Sequence, residues 1–227
     1  MKFIIEKIFN IFNIKFFQFL YFYKRTLIYR KFLKKIPRYF TTEELYEKFI
    51  NKNNEIQFIE FGVFKGRSLK IISKLNSNSN SKFFGFDSFN GLPDDWDYGI
   101  LGWKKEGHFK LDDKNTLNFE DKRITIIDGY FNKTLEKSLN LFSKKKYTLV
   151  HFDADLYSST LYCLTMLHNH FDSYVAIFDE FPMHECSALH DYASSYNVDI
   201  KFLACTVNDV RVACKIESFT FNFTCNS

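Results

Sequence analysis

Residues 56–87 read IQFIEFGVFKGRSLKIISKLNSNSNSKFFGFD, and the punctuation of this stretch decides the fold. Ile56 to Phe61 is a short apolar run, as expected of a buried strand. Gly62-Val63-Phe64-Lys65-Gly66 makes a turn, and Ser68 to Leu75 reads as a helix. Asn76 to Ser81 is a polar loop, and Lys82 to Asp87 is a second strand. Strand, glycine turn, helix and strand together make a βαβ unit.

Working outward, the alternation continues. Strands are predicted at Ile124 to Asp128, Tyr147 to Asp153 and Tyr174 to Asp179, and helices at Asn132 to Phe142, Ser159 to Phe171 and Cys186 to Tyr196. Ile200 to Thr206 and Arg211 to Ile216 are two further strands with little between them, so they form a hairpin and one strand runs antiparallel. The sum is a seven-stranded, mostly parallel α/β sheet with helices on both faces. Upstream, Thr41, Thr42 and Glu44 resemble a helix start.

A chain of 227 residues suits one sizeable α/β domain. Its 29 phenylalanines accompany abundant Lys, Asn and Ile and scarce Gly and Pro, which codon bias explains; they are weak grounds for base stacking. Cys163, Cys186, Cys205, Cys214 and Cys225 contain no CxxC pair and are odd in number, so a reducing, cytoplasmic setting is expected, without a thiolate metal cluster. The net charge is +4, but residues 1–40 hold ten Lys and Arg against Glu6 alone and carry +9. The rest carries −5, the difference of the two, which argues against nucleic acid as a partner.

Residues 1–40 form an extension ahead of a domain spanning 41–227. Lys2, Glu6, Lys7, Asn10, Asn13, Lys15 and Gln18 interrupt its apolar run, so it neither spans a membrane nor reads as a signal peptide. It is helical, aromatic and basic. Two fates stay open: packing on the domain or a second subunit of a homodimer, or contact of residues 1–38 with the anionic inner face of a membrane.

In an open parallel sheet, ligands bind beyond the carboxyl ends of the strands. Four of these ends carry acids: Glu60, Asp87, the pair Asp153 and Asp155, and the pair Asp179 and Glu180. Gly62 and Gly66 make GxxxG rather than the GxGxxG of dinucleotide sites, which favours a ligand without a diphosphate, such as S-adenosylmethionine (SAM). Asp87, 25 residues beyond Gly62, suits the hydroxyls of a ribose. The long connection at about residues 91–121 reads as a lid. In it, Trp96 and Trp103 either stack on a sugar or pack within the lid. His184 and His190 follow the fifth strand and are candidates for lining the acceptor site.

The blocks Ile59 to Ser68 (IEFGVFKGRS), Gly85 to Pro93 (GFDSFNGLP), Asp128 to Leu135 (DGYFNKTL), His151 to Thr160 (HFDADLYSST) and Phe178 to Phe181 (FDEF) resemble, in order, the motifs of the macrocin O-methyltransferase (TylF-like) family. The resemblance implies a Rossmann-like class I methyltransferase fold and SAM-dependent O-methylation of a sugar or glycosylated product, aided by Mg²⁺. It implies that Glu60, Gly62, Gly66 and Ser68 hold the methionine side of SAM, with Val63 and Asp153 also cofactor-binding. Asp87 takes the ribose, with Ser88, Asp128, Gly129 and Tyr130 near the adenine. Asp153, Asp179 and Glu180 become metal ligands and Asp155 the general base. Glu180 stands where the family has a second Asp, and His151 where Arg is frequent. The acceptor stays open: a non-sugar small molecule or a lipid-linked glycan, and a non-catalytic membrane-surface role, are the alternatives.

Overall fold

The computed structural model describes residues 14–97, 103–114 and 117–218. The interruptions expected at Lys2, Glu6, Lys7, Asn10 and Asn13, and Cys225, lie outside the described residues. In chain order the elements begin with α1 (Ile14–Leu33), β1 (Arg38–Tyr39), α2 (Thr42–Phe49), β2 (Gln57–Phe61), α3 (Arg67–Leu75) and β3 (Lys82–Asp87). The short strands β4 (Trp96–Asp97) and β5 (Trp103–Lys104) follow, then β6 (Ile124–Asp128), α4 (Phe131–Ser138), β7 (Thr148–Phe152), α5 (Tyr157–His168) and β8 (Ser173–Phe178). An irregular turn, Phe181–Glu185, leads into α6 (Cys186–Tyr196), β9 (Asp199–Thr206) and β10 (Val212–Glu217).

The main sheet has the order β1-β9-β10-β8-β7-β2-β3-β6, and β10 alone runs antiparallel to its neighbours. Eight strands stand where seven were expected. The addition is β1, which pairs Arg38 and Tyr39 with Cys205 and Thr206. A two-residue strand has no alternation to read, so nothing in its composition announces it. The helix expected over Asn132 to Phe142 ends at Ser138 and closes in a single tighter turn, Leu139–Leu141.

The phenylalanines form the core. β2 and β7 are buried along their whole length. Phe61, Phe86, Phe152 and Phe178 lie side by side on neighbouring strands, with ring centroids 4.9–5.6 Å apart from one strand to the next. Such contacts add roughly 0.5–1.5 kcal/mol each beyond area burial. α2 starts on a capping box: Glu44 N–H donates to Thr41 Oγ1, and the Glu44 carboxylate accepts from Thr41 N–H.

α1 is docked on the domain. Tyr29 meets Phe181 and Phe202, Phe22 meets Tyr157 and His184, and Leu33 is in the core. Arg25 pairs with Asp191 at 2.5 Å, and Thr26 Oγ1 accepts from Met183 N–H at 2.8 Å. None of the described helices is long and apolar enough to cross a membrane.

Candidate active site

The parallel ladder itself assembles the site. Phe61 is level with Phe86 and Phe152, and Phe152 with Phe178. The residue after each strand bonds a carbonyl at the end of its neighbour. Gly62 N–H donates to Phe86 O (2.9 Å), Asp153 N–H to Phe61 O (2.9 Å) and Asp179 N–H to Phe152 O (2.8 Å). Gly62, Asp87, Asp153 and Asp179 therefore share one edge and open on one cavity of about 710 Å³.

One half of that cavity is organised by backbone. Val63 and Phe64 N–H both donate to Asp87 Oδ2, at 2.9 and 2.7 Å, and Phe89 N–H donates to Oδ1 at 2.7 Å. Asp87 thus pins the glycine turn, and Oδ1 keeps acceptor capacity toward the cavity it lines. Gly62 has φ +97°, and a Cβ there would lie 1.9 Å from the Asp153 carbonyl oxygen. Gly66 has φ +70°, and a Cβ there would strike the Phe119 ring at 2.5 Å. Phe119 therefore leaves no room for a side chain at the second glycine.

Of the residues assigned to SAM, Gly62, Asp87, Ser88, Tyr130 and Asp153 line the cavity. Val63 and Glu60 are buried beneath it, and Ser68 Oγ donates to Glu60. Neither Gly66 nor Gly129 is among the lining residues, and Asp128 turns to Lys114 at 2.5 Å. The lining also holds Phe64, Phe109, Phe131 and Tyr162, which the sequence reading had not singled out.

The other half is acidic. Asp153, Asp155, Asp179 and Glu180 all line it. Asp179 is held on two sides. Arg211, on the hairpin leading into β10, donates from Nε to Oδ1 at 2.6 Å and from Nη2 to Oδ2 at 3.0 Å. His151 Nε2 stands 3.5 Å from Oδ1, while Nδ1 bonds Glu60 at 2.8 Å and Tyr46 Oη lies 3.3 Å from Nε2. Burial disfavours a charged imidazole, but the bonds to Asp179 and Glu60 outweigh it and raise His151 to about 10. Burial also works against the Asp179 carboxylate, and its His151 and Arg211 partners override it and lower its pKa.

Asp153 and Asp155 lack such partners. Burial, then the Asp179 charge, pushes Asp153 up to about 8. Burial, then Asp153 and Glu180, pushes Asp155 up to about 9. Asp155 also sits at φ +59°, a conformation that costs a non-glycine residue of order 1–3 kcal/mol. A further acid comes from the turn after β8. Glu185 is 1% exposed, accepts from Glu180 N–H through Oε2 at 3.1 Å, and leaves buried Oε1 without a hydrogen-bond partner. Burial first, and then Asp179, Asp153 and Asp155, raise it well above the carboxylate range. Nothing in its spacing marks Glu185 in the sequence; the positive φ of Met183 (+72°) accompanies its entry beneath the strand end.

Among the described residues, no three His, Cys, Asp or Glu side chains stand together as a metal-holding group. The donor chemistry nonetheless suits a hard divalent cation, because the side-chain oxygens that line this half are carboxylates. None of the aromatic and histidine candidates of the lid and acceptor side, Trp96, Trp103, His184 and His190, is among the residues lining the cavity. Trp96 is buried with Leu92 and Leu156, and Trp103 is 54% exposed. His184 packs on Phe22, and His190 Nδ1 lies 3.0 Å from Tyr29 Oη.

A parallel sheet with one reversed strand, a glycine turn pinned by a carboxylate and acids at the neighbouring strand ends define a SAM-dependent methyltransferase of class I. Residues 35–207 match the model of the macrocin O-methyltransferase (TylF) family, and the chain belongs to that family. Its fold is similar to that of CalS11, the calicheamicin methyltransferase, with a TM-score of 0.58 and 19% identity over 78% of this chain and 77% of that one. A second structure, the apo form of CalS11 described as a TDP-rhamnose 3'-O-methyltransferase, gives 0.52 and 17% over the same shares. No curated protein sequence matches the chain.

Proposed function

We propose that the protein methylates a hydroxyl of a sugar or glycosylated product. The observation that carries this reading is that one cavity is lined both by Gly62, Asp87, Ser88 and Tyr130, the donor half, and by the carboxylates Asp153, Asp155, Asp179 and Glu180, the acidic half. SAM supplies an activated methyl group on a positive sulfonium, which a cavity rich in carboxylates attracts. Asp153, Asp179 and Glu180 would hold Mg²⁺, which would supply Lewis-acid chemistry that makes an acceptor hydroxyl easier to deprotonate. Asp87 orients the donor through Oδ1, and the Gly62 turn lets it approach the strand edge. Asp155 takes the acceptor's proton on its carboxylate, which positive charge in the cavity draws back toward the ionised form. Phe64, Phe109 and Tyr162 offer apolar surface to a sugar ring and exclude water.

The family assignment and the CalS11 fold support a sugar acceptor. The test is transfer of labelled methyl from SAM to a panel of nucleotide sugars and glycans, with and without excess EDTA. Product formation that EDTA abolishes is the expected result. Full activity in EDTA would remove the metal, and transfer only to non-glycosylated phenols would remove the sugar.

For α1, Leu20, Tyr23, Leu27, Ile28 and Phe32 remain 42–53% exposed beside Lys24, Lys31, Lys34 and Lys35. This favours a peripheral contact with an anionic membrane from the cytoplasmic side. Co-sedimentation with phosphatidylserine vesicles at low salt, lost at high salt, is expected; no sedimentation in either overturns it.

A further inference from the structure

Asp179 is offered two cations and can serve only one fully. Its two oxygens are both occupied by the Arg211 fork, at 2.6 and 3.0 Å, and Oδ1 also faces His151 Nε2 at 3.5 Å. A bidentate guanidinium–carboxylate pair is among the stronger hydrogen-bonded contacts, and its geometry blocks the lone pairs a metal ion would take. Arg211 is partly exposed (29%), so its side chain has room to leave. Its backbone is fixed separately, by Arg211 N–H on Thr206 Oγ1 at 3.0 Å. Neighbouring Asp153, Glu180 and Glu185 have no arginine or lysine partner of their own among the described ion pairs and hydrogen bonds. Arg211 is therefore the guanidinium that meets the acidic half, and it meets it at one ligand only.

We propose that Arg211 is a positioning residue that competes with the divalent cation for Asp179 and so sets the cation affinity of the site. With Arg211 in place, Asp179 is held at the strand end and the site stays weak for metal. When a cation arrives, Asp179 leaves the fork and Arg211 swings toward solvent. The loss of the fork and the repulsion between the guanidinium and a doubly charged ion act in the same direction, so both weaken binding. This inference rests on the reading that the acidic half takes a divalent cation.

The experiment is a Mn²⁺ titration of the full chain in the presence of S-adenosylhomocysteine (SAH), read by calorimetry or by the electron paramagnetic resonance of free Mn²⁺. Arg211→Gln should bind Mn²⁺ about tenfold more tightly than the wild type, equivalent to about 1.4 kcal/mol, because a charge-assisted fork no longer competes. Arg211→Lys keeps a point charge but not the fork, and should fall between the two. The direction separates this role from a structural one, because a variant that merely loosens the strand end loses affinity. If Arg211→Gln does not fold, Arg211→Lys alone carries the test. Unchanged or weaker Mn²⁺ binding in folded variants overturns the proposal and leaves the metal reading standing. Absence of Mn²⁺ binding in wild type and variants alike, with SAH still bound, overturns both this proposal and the metal reading. Absence of SAH binding breaks the donor reading instead, and the Mn²⁺ titration still reports on Arg211.

Discussion

The two halves of the cavity are built on opposite plans. Around Gly62 and Asp87 the carboxylates have fixed partners: Asp87 accepts three backbone N–H groups, and Glu60 Oε1 accepts from Ser68 and His151, leaving only buried Oε2 without a hydrogen-bond partner. Around Asp153 and Asp155 the carboxylates crowd one another, and burial raises their pKa values. A largely pre-satisfied half suits a ligand that is the same in every turnover. A half short of positive charge suits partners that bring it, and it is unfinished until they arrive. Pre-organisation and electrostatic demand thus sit a few residues apart on one sheet edge.

The sharpest way to break the comparison is at the residue the halves share. Gly62→Ala places a methyl group against the Asp153 carbonyl at a φ that disfavours alanine. It should cost several kcal/mol. Calorimetry should detect no SAH binding, or thermal melts no cooperative fold; normal SAH affinity would show that the turn relaxes freely. Next in size, Asp155→Asn should slow methyl transfer roughly 100- to 10,000-fold while SAH affinity stays within a factor of two or so. Near-normal turnover would move the base elsewhere.

Asp87→Ala tests the satisfied half. It frees three N–H groups and removes a ligand contact, so SAH affinity should fall about 10- to 100-fold, corresponding to roughly 1.5–3 kcal/mol for hydrogen bonds to a charged group. An unchanged affinity would mean that Asp87 only pins the turn. A further test is the pH dependence of stability without ligands. Unfolded Asp153 and Asp155 lose their protons near pH 4, but folded they keep them to about 8 and 9. Between those values the folded state holds more protons, so its stability falls as pH rises from about 4 to 9. Melting temperature should drop from pH 5.5 to 8.5, and saturating SAH with Mg²⁺ should flatten the slope. A rise over that window would contradict the assigned burial of the two acids.

The strands and the positions of the acids were legible because parallel strands are apolar runs and ligands sit at their carboxyl ends. Asp153, Asp155, Asp179 and Glu180 could be placed on one edge from that rule alone. What could not be read depends on contacts far apart in sequence. Arg211 lies 32 residues from Asp179 on a hairpin that looks like ordinary sheet. Glu185 precedes a helix like many solvated glutamates. Gly66 looked like part of a ligand cradle, and only Phe119, 53 residues on, shows why no side chain fits there. The lid tryptophans were ambiguous for the same reason, and burial of Trp96 with Leu156 resolves one of them.

The docking of α1 also has a consequence during synthesis. Thr26 meets Met183 across 157 residues of chain, and Arg25 meets Asp191 across 166. At roughly 5–20 residues per second, the first helix leaves the ribosome about 8 to 30 s before its partners exist. For that interval a segment rich in Phe, Tyr, Leu and Ile has no surface to cover it. That apolar surface stays uncovered until the segment around Met183 and Asp191 is made, and slowed translation would lengthen the exposure in proportion.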